Sequence, residues 1–282
     1  MQVEDYIRFL RESGEKITEI EGDYYLELRK NFYESIPPHR VVKSNKKPRN
    51  SIGVRYTTDQ GNVVNNEFIC DVDSYNLNTL HSKARNQTRR GLENCEVREI
   101  TIEDVRERGL EINRSVLGRQ GRMGPEKLSS LEGWNEYLEI IKKYDDIQVF
   151  GAFVEGKLCA YTLVIKLENY AYLYHPMSDS AYLKYYPMNA LIYTVTQNYL
   201  DSHPNGFISY GLESLKGLKS LNTFKERMGY RRREIKRNVN LNPLINVALK
   251  MPGTKPTIKY LSKKSMKFKE INNFLGMIEG KS

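Results

Sequence analysis

The apolar positions between Gln148 and Tyr230 change period several times, and those changes mark out the elements. Gln148–Val154, Leu158–Lys166 and Tyr170–Tyr174 are runs crowded with Tyr, Phe, Val and Ile. Glu155-Gly156-Lys157 and Glu168-Asn169 separate them, which predicts three strands joined by two tight turns. A helix opens near Pro187, a short β-run follows at Phe207–Gly211, and Leu215–Met228 returns to helical spacing. An antiparallel meander that breaks into a helix and re-enters a strand makes one αβ unit, with a cleft at the helix start.

The N-terminal part reads less regularly. Val3–Ser13 has Tyr6, Ile7 and Leu10 on one helical face, and Asp23–Leu28 and Ser51–Thr57 are β-rich. Asp59–Asn62 turns the chain into a strand at Glu67–Val72. Leu77, Leu80, Ala84, Thr88 and Leu92 recur at steps of three and four, predicting a helix over 75–92 that ends at Gly91. Cys95–Ile100 reads as a strand. Thr101 with Asp104 forms a capping box that opens a helix toward Leu117, and a further helix is expected from Pro125 to Tyr144.

Composition narrows the class. The 282 residues suffice for one large domain or two small ones, and 39% hydrophobic with 28% charged residues is ordinary for a folded protein. No apolar run reaches the roughly 20 residues of a membrane-spanning helix, and Met1-Gln-Val-Glu-Asp-Tyr lacks the apolar segment of a signal peptide. The three cysteines, Cys70, Cys95 and Cys159, form no CxxC pair, and two lie in apolar strands. A reducing, cytoplasmic setting is the expectation. The four histidines stand apart without metal-ligand spacing, so no metal is expected. P-loop, GxGxxG and GxSxG motifs are absent.

A net charge of +9 changes the picture more, because it favours anionic partners: nucleic acid, a phosphorylated cofactor or a membrane surface. The charge falls in four clusters, Lys43–Arg49, Lys83–Arg90, Arg231–Arg237 and Lys250–Lys269. Scattered clusters speak less for nucleic acid than one stripe would.

The helix that closes on Phe224-Lys225-x-x-x-Gly229-Tyr230, after strand, strand, strand, helix and strand, resembles the second half of a GNAT acyltransferase domain. It looks most like the branch that includes the FemAB-type aminoacyltransferases. The segment Lys83–Leu117, a basic helix followed by strand and helix, resembles the same branch, and the likeness spans residues 77–240. In that family the chain holds two GNAT-like halves, the first often degenerate. The resemblance implies an α/β (α+β) fold with a mixed, mostly antiparallel sheet flanked by helices. It places a degenerate half at 1–98, the acyltransferase domain at 99–241 and a basic helical extension at 242–282.

Such an enzyme holds an activated acyl carrier beside an amine, removes a proton and supports a tetrahedral oxyanion. In the family the fourth strand splays from the fifth, and the acyl arm lies in the gap. Carrier pyrophosphate rests on a glycine loop before the next helix. Here His175–Ala190 contains no glycine, so the backbone cannot approach a pyrophosphate as closely. FemAB-like members also lack that loop, and many use aminoacyl-tRNA. Acyl-CoA is the first expectation for the donor and aminoacyl-tRNA the alternative.

By the same resemblance, Lys184 and Asn189 are carrier contacts, and Gly211 lets the backbone approach a ligand. Glu213 accepts the amine proton, Tyr210 protonates the leaving group or orients substrate, and Lys225 faces carrier phosphate or the oxyanion. Arg114, Arg119 and Arg122, in the loop between two helices, would clamp an anionic acceptor group. Each has an ordinary reading too: a Pro-started helix, a bulge, a turn carboxylate, a core tyrosine, a solvated lysine capped by Gly229, an exposed basic loop. Arg85 and Arg89 lie opposite the leucine stripe, usually a solvated face.

From Asn242 on, lysines interleave with Leu261, Met266, Phe268, Ile271, Phe274 and Leu275. The expectation is a helical pair packed with its lysines outward, against a basic surface for tRNA or anionic lipid. The whole reads as an N-acyltransferase acting on an amino sugar, a lipid-linked intermediate, a peptide or a small amine. Its rival is a non-catalytic GNAT-like scaffold that binds RNA or protein.

Overall fold

The computed structural model describes residues 1–28, 41–42, 53–121, 124–213 and 219–265, together with residues 268, 271, 272 and 275. The first elements are α1 (Val3–Glu12), β1 (Ile17–Ile20), β2 (Asp23–Glu27), β3 (Gly53–Thr57), β4 (Val63–Cys70) and α2 (Ser82–Asn94). Then come β5 (Glu96–Ile100), α3 (Ile102–Gln120), α4 (Glu126–Ser129), α5 (Leu131–Ile141), β6 (Ile147–Val154), β7 (Lys157–Leu167) and β8 (Tyr170–Ser178). The chain ends through α6 (Pro187–Ser202), β9 (Phe207–Leu212), α7 (Lys219–Arg227), β10 (Arg231–Leu241), α8 (Pro243–Lys250) and α9 (Thr254–Leu261).

These form two compact units. The first holds Met1–Phe9, Glu67–Gly211 and Ser220–Arg233. Its strands lie in the order β4–β9–β8–β7–β6–β5. From β5 to β8 the pairing is antiparallel, while β8 and β9 run parallel. Glu155 and Gly156 make the first hairpin turn, both at positive φ (50° and 75°), the backbone that a two-residue hairpin needs.

β7 is buried along nearly its whole length, as a strand covered on both faces should be. Leu173 joins Ala190, Leu191 and Val195 of α6 in one core cluster. The next residue, Tyr174, addresses the other face, 6.1 Å from the Phe9 ring. On that second face Trp134 of α5 meets Tyr161 at 6.0 Å.

The second unit holds Leu10–Asn66, Leu212–Lys219 and Glu234–Ser282, with strands in the order β1–β2–β3–β10, all antiparallel. Its small core packs Tyr25, Val42, Val54 and Tyr56, the two tyrosine rings edge-on at 5.0 Å.

Several expectations change. The helix expected over 75–92 is a single 3-10 turn, Leu77–Thr79, and then α2, because the Arg85 guanidinium bonds the carbonyls of Leu77, Asn78 and Leu80 and holds Leu80 extended. Gly91 does not cap this helix. It sits where an added Cβ would lie 2.7 Å from the Tyr186 carbonyl oxygen, so it serves helix–helix approach, and α2 runs on to Asn94. The helix expected from Pro125 to Tyr144 is broken at Ser130, whose Oγ accepts the Gly133 N–H at 3.0 Å and caps α5. The Arg231–Arg237 cluster lies in a strand, β10, that its charges conceal. α8 and α9 bury no residue fully, whereas Leu275 beyond them is buried and Leu261 and Phe268 are half-buried; Met266 and Phe274 lie outside the described residues. The Lys43–Arg49 cluster lies outside the described residues.

Candidate active site

β8 and β9 pair over only three residues each, Tyr170–Tyr172 with Phe207–Ser209. Past that point β8 continues for six residues and β9 for three. Parallel strands that cease pairing part way open a gap between their ends. Both strands are distorted there. β8 carries an extra residue between Tyr174 and Met177 relative to β7, with His175 at φ 52°. Such a bulge re-aims side chains and ends pairing. On β9, Gly211 takes φ +74°, and a Cβ there would lie 3.0 Å from the Tyr172 hydroxyl oxygen.

α7 brings Lys225 to this strand end. Lys225 and Met228, three apart on one helical face, are both buried. The lysine is only 3% exposed, and its Nζ lies 5.0 Å from both the Phe68 and the Tyr210 ring centroids. Tyr210 is the first β9 residue beyond the β8 ladder. Its ring also packs edge-on against Phe224 and Tyr230, and burial pushes its hydroxyl well above the ordinary tyrosine range. Helix α7 then closes through Gly229 at φ +86°, with the Tyr230 N–H on the Lys225 carbonyl, as the sequence led one to expect of a capped helix.

Below this lies a buried polar chain that sequence reasoning missed. The Gly211 N–H donates to Ser209 Oγ at 3.1 Å, and Ser209 Oγ donates to Glu67 Oε1 at 2.5 Å. Arg233 donates twice to Glu67 Oε2. A carboxylate that is 2% exposed needs such partners. The available signal was Glu67 directly before the apolar run Phe68-Ile69-Cys70.

The turn after β8 is held from within. Asp179 Oδ1 accepts the Ala181 N–H at 3.2 Å and the Ser115 hydroxyl at 3.0 Å, while Arg108 donates to Oδ2 at 3.2 Å. The Ser180 N–H goes to Ser115 Oγ at 2.9 Å. An internal carboxylate thus takes up this backbone amide and this cation.

The remaining sequence candidates are dispersed. Arg119 spans Ser178 O and Ser180 Oγ in that same turn, and Arg114 donates to the Ser129 carbonyl. Lys184 lies over the Tyr185 ring at 4.9 Å, and the buried Asn189 turns its Nδ2 to Met228 Sδ. Glu213, in the second unit, accepts the Asn66 N–H and Nδ2, each at 3.2 Å. Arg122 lies outside the described residues. Among the described residues no group of His, Cys, Asp and Glu could hold a metal ion, and no helix is long and apolar enough to cross a membrane. Burial lifts all three thiols to about 11.

Residues 82–210 match the family described as acetyltransferase (GNAT) domain. The crystal structure of FemX superposes with a TM-score of 0.59 at 10% identity, covering 87% of this chain and 93% of that one. The C-terminal domain of a putative lysylphosphatidylglycerol synthetase from Agrobacterium fabrum gives 0.57 at 12% identity, covering 89% and 96%. No curated protein matches the sequence. Over residues 82–210 the fold is therefore that of a GNAT domain. The chain as a whole shares its fold with these two structures.

Proposed function

We propose that this protein is an N-acyltransferase, moving an acyl or aminoacyl group from an activated carrier to an amine. The observation that carries the reading is the buried Lys225 ammonium beside Tyr210, at the point where β8 and β9 part. The acyl arm lies in the gap between the parting strands. The amine attacks the carbonyl carbon, the carbon–nitrogen bond forms, and negative charge gathers on the carbonyl oxygen. A fixed cation in a water-poor setting favours that charge over the neutral ground state. Collapse of the intermediate breaks the bond to the carrier, whose oxygen or sulfur leaves with the electron pair.

Glu213, suggested by the sequence as acceptor of the amine proton, lies in the second unit, where Asn66 orients its carboxylate. For Tyr210 we favour a positioning role over acid catalysis, since burial makes its hydroxyl a weaker acid. Arg119 steadies the turn that would border the acceptor.

The sequence alone put acyl-CoA first as donor. The Asp179 carboxylate now weighs toward aminoacyl-tRNA, because a carrier pyrophosphate would have to displace it from Arg108 and from the Ala181 amide. The choice is tested by thermal shift with coenzyme A, acetyl-CoA, and charged and uncharged tRNA across a salt series. Preference for charged over uncharged tRNA supports the aminoacyl donor. Stabilisation by coenzyme A at physiological salt restores the acyl-CoA reading. A salt-sensitive shift with tRNA of either kind, without amide product, fits a binding module instead.

A further inference from the structure

The helical pair after β10 presents a surface that the transferase reading does not use. α8 opens with Asn242 capping the Leu244 N–H and Pro243 at its first position, and it packs on α9 across a turn containing Gly253 at φ +88°. Leu244, Val247 and Met251 recur at i, i+3 and i+7, so they form one stripe. They are 81%, 59% and 58% exposed, and Tyr260 on α9 is 57% exposed. On the same segment Lys250, Lys255, Lys259, Lys263 and Lys264 are exposed, and the sequence from Asn242 to Lys269 contains no Asp or Glu.

We infer that α8 and α9 form a docking surface for an anionic lipid bilayer. Neither half of the pattern explains the other in water. A nucleic acid would engage the lysines and leave the Leu244–Met251 stripe in solvent. A second copy of the chain, meeting across this stripe, would bring the same lysines face to face. A bilayer accepts both features: acyl chains take the stripe, and acidic headgroups meet the ammonium groups. The helices would lie in the plane of the interface. The inference is independent of the transferase reading, and no residue placed in the active site belongs to it.

The test is flotation of the full chain with phosphatidylcholine vesicles, with and without phosphatidylglycerol. Binding is expected only when phosphatidylglycerol is present, weakening as salt rises. Leu244→Asp and Val247→Asp, at exposed positions that leave the core untouched, should each lower the affinity about tenfold. Each of Lys259→Gln and Lys263→Gln should lower it about fivefold. An unchanged circular dichroism spectrum keeps these variants interpretable. The inference is overturned if the wild type ignores phosphatidylglycerol vesicles, or if binding is indifferent to the Leu244 and Val247 changes. It is equally overturned by a dimer that Leu244→Asp dissolves, or by a salt-sensitive tRNA complex that forms while vesicles are ignored.

Discussion

Replacing Lys225 by Met keeps the volume of the stem and removes the ammonium with its polar contacts, so it separates packing from electrostatics. Two of the contributions to stability oppose each other. An ammonium 5.0 Å from two ring centroids gains about 1–2 kcal/mol from each face. Taking that charge out of water, at 3% exposure, costs several kcal/mol. The terms nearly cancel, so Lys225→Met is expected to change unfolding free energy by less than about 2 kcal/mol, in either direction.

Its effect on transfer is not offset in that way. A fixed charge at the oxyanion supplies on the order of 3–4 kcal/mol to the transition state, which is a loss of roughly 10²–10³ in rate. Urea denaturation gives the first quantity and single-turnover transfer to an amine gives the second. A variant that loses more than about 3 kcal/mol of stability while its folded fraction transfers at the wild-type rate would refute the reasoning. Lys225 would then be a structural cation.

Other expectations follow from the same geometry. Gly211→Ala should cost about 1–2 kcal/mol for the left-handed backbone and more for the Cβ set against the Tyr172 hydroxyl. Adding Tyr172→Phe should recover only the contact part, and equal losses in both backgrounds would contradict it. With thiols at about 11, native Cys70, Cys95 and Cys159 should resist alkylation at mildly alkaline pH and all react once unfolded. Rapid labelling of any native thiol counts against this. Arg106, followed by Lys142, lowers Glu103 from 4.5 to about 2 in the folded state. Its contribution should be complete above 4.5 and fade as pH falls toward 2. The stability gap between wild type and Glu103→Gln should close over that window, and a gap that stays constant would argue otherwise.

Legibility followed the physics of each segment. β6, β7 and β8 were readable because buried strands concentrate β-branched and aromatic residues between turn formers, and Glu155-Gly156 has the chemistry its turn requires. The close of α7 was readable because Gly229 sits at its left-handed cap. β10 was not, since Arg231, Arg232 and Arg233 are paired to Asp71, Glu226 and Glu67, residues far away in sequence or not visibly related to it. The break at Leu80 depends on one guanidinium folding back onto carbonyls, which no periodicity records. At the site, Lys225 could be singled out from its motif, but the two rings that hold it come from β4 and β9 and meet only in three dimensions. The absent glycine loop was visible, whereas the Asp179 carboxylate that holds the turn after β8 was not.

Transfer itself is the most direct test. Wild type and Lys225→Met would be given labelled aminoacyl-tRNA, then labelled acyl-CoA, each with a mixture of amino sugars, peptides and lipid-linked amines, and the products read by mass spectrometry. Label carried into an amide by the wild type, and reduced at least about a hundredfold by Lys225→Met, is the predicted result. No amide from either donor, or an equal yield from the variant, would contradict the account.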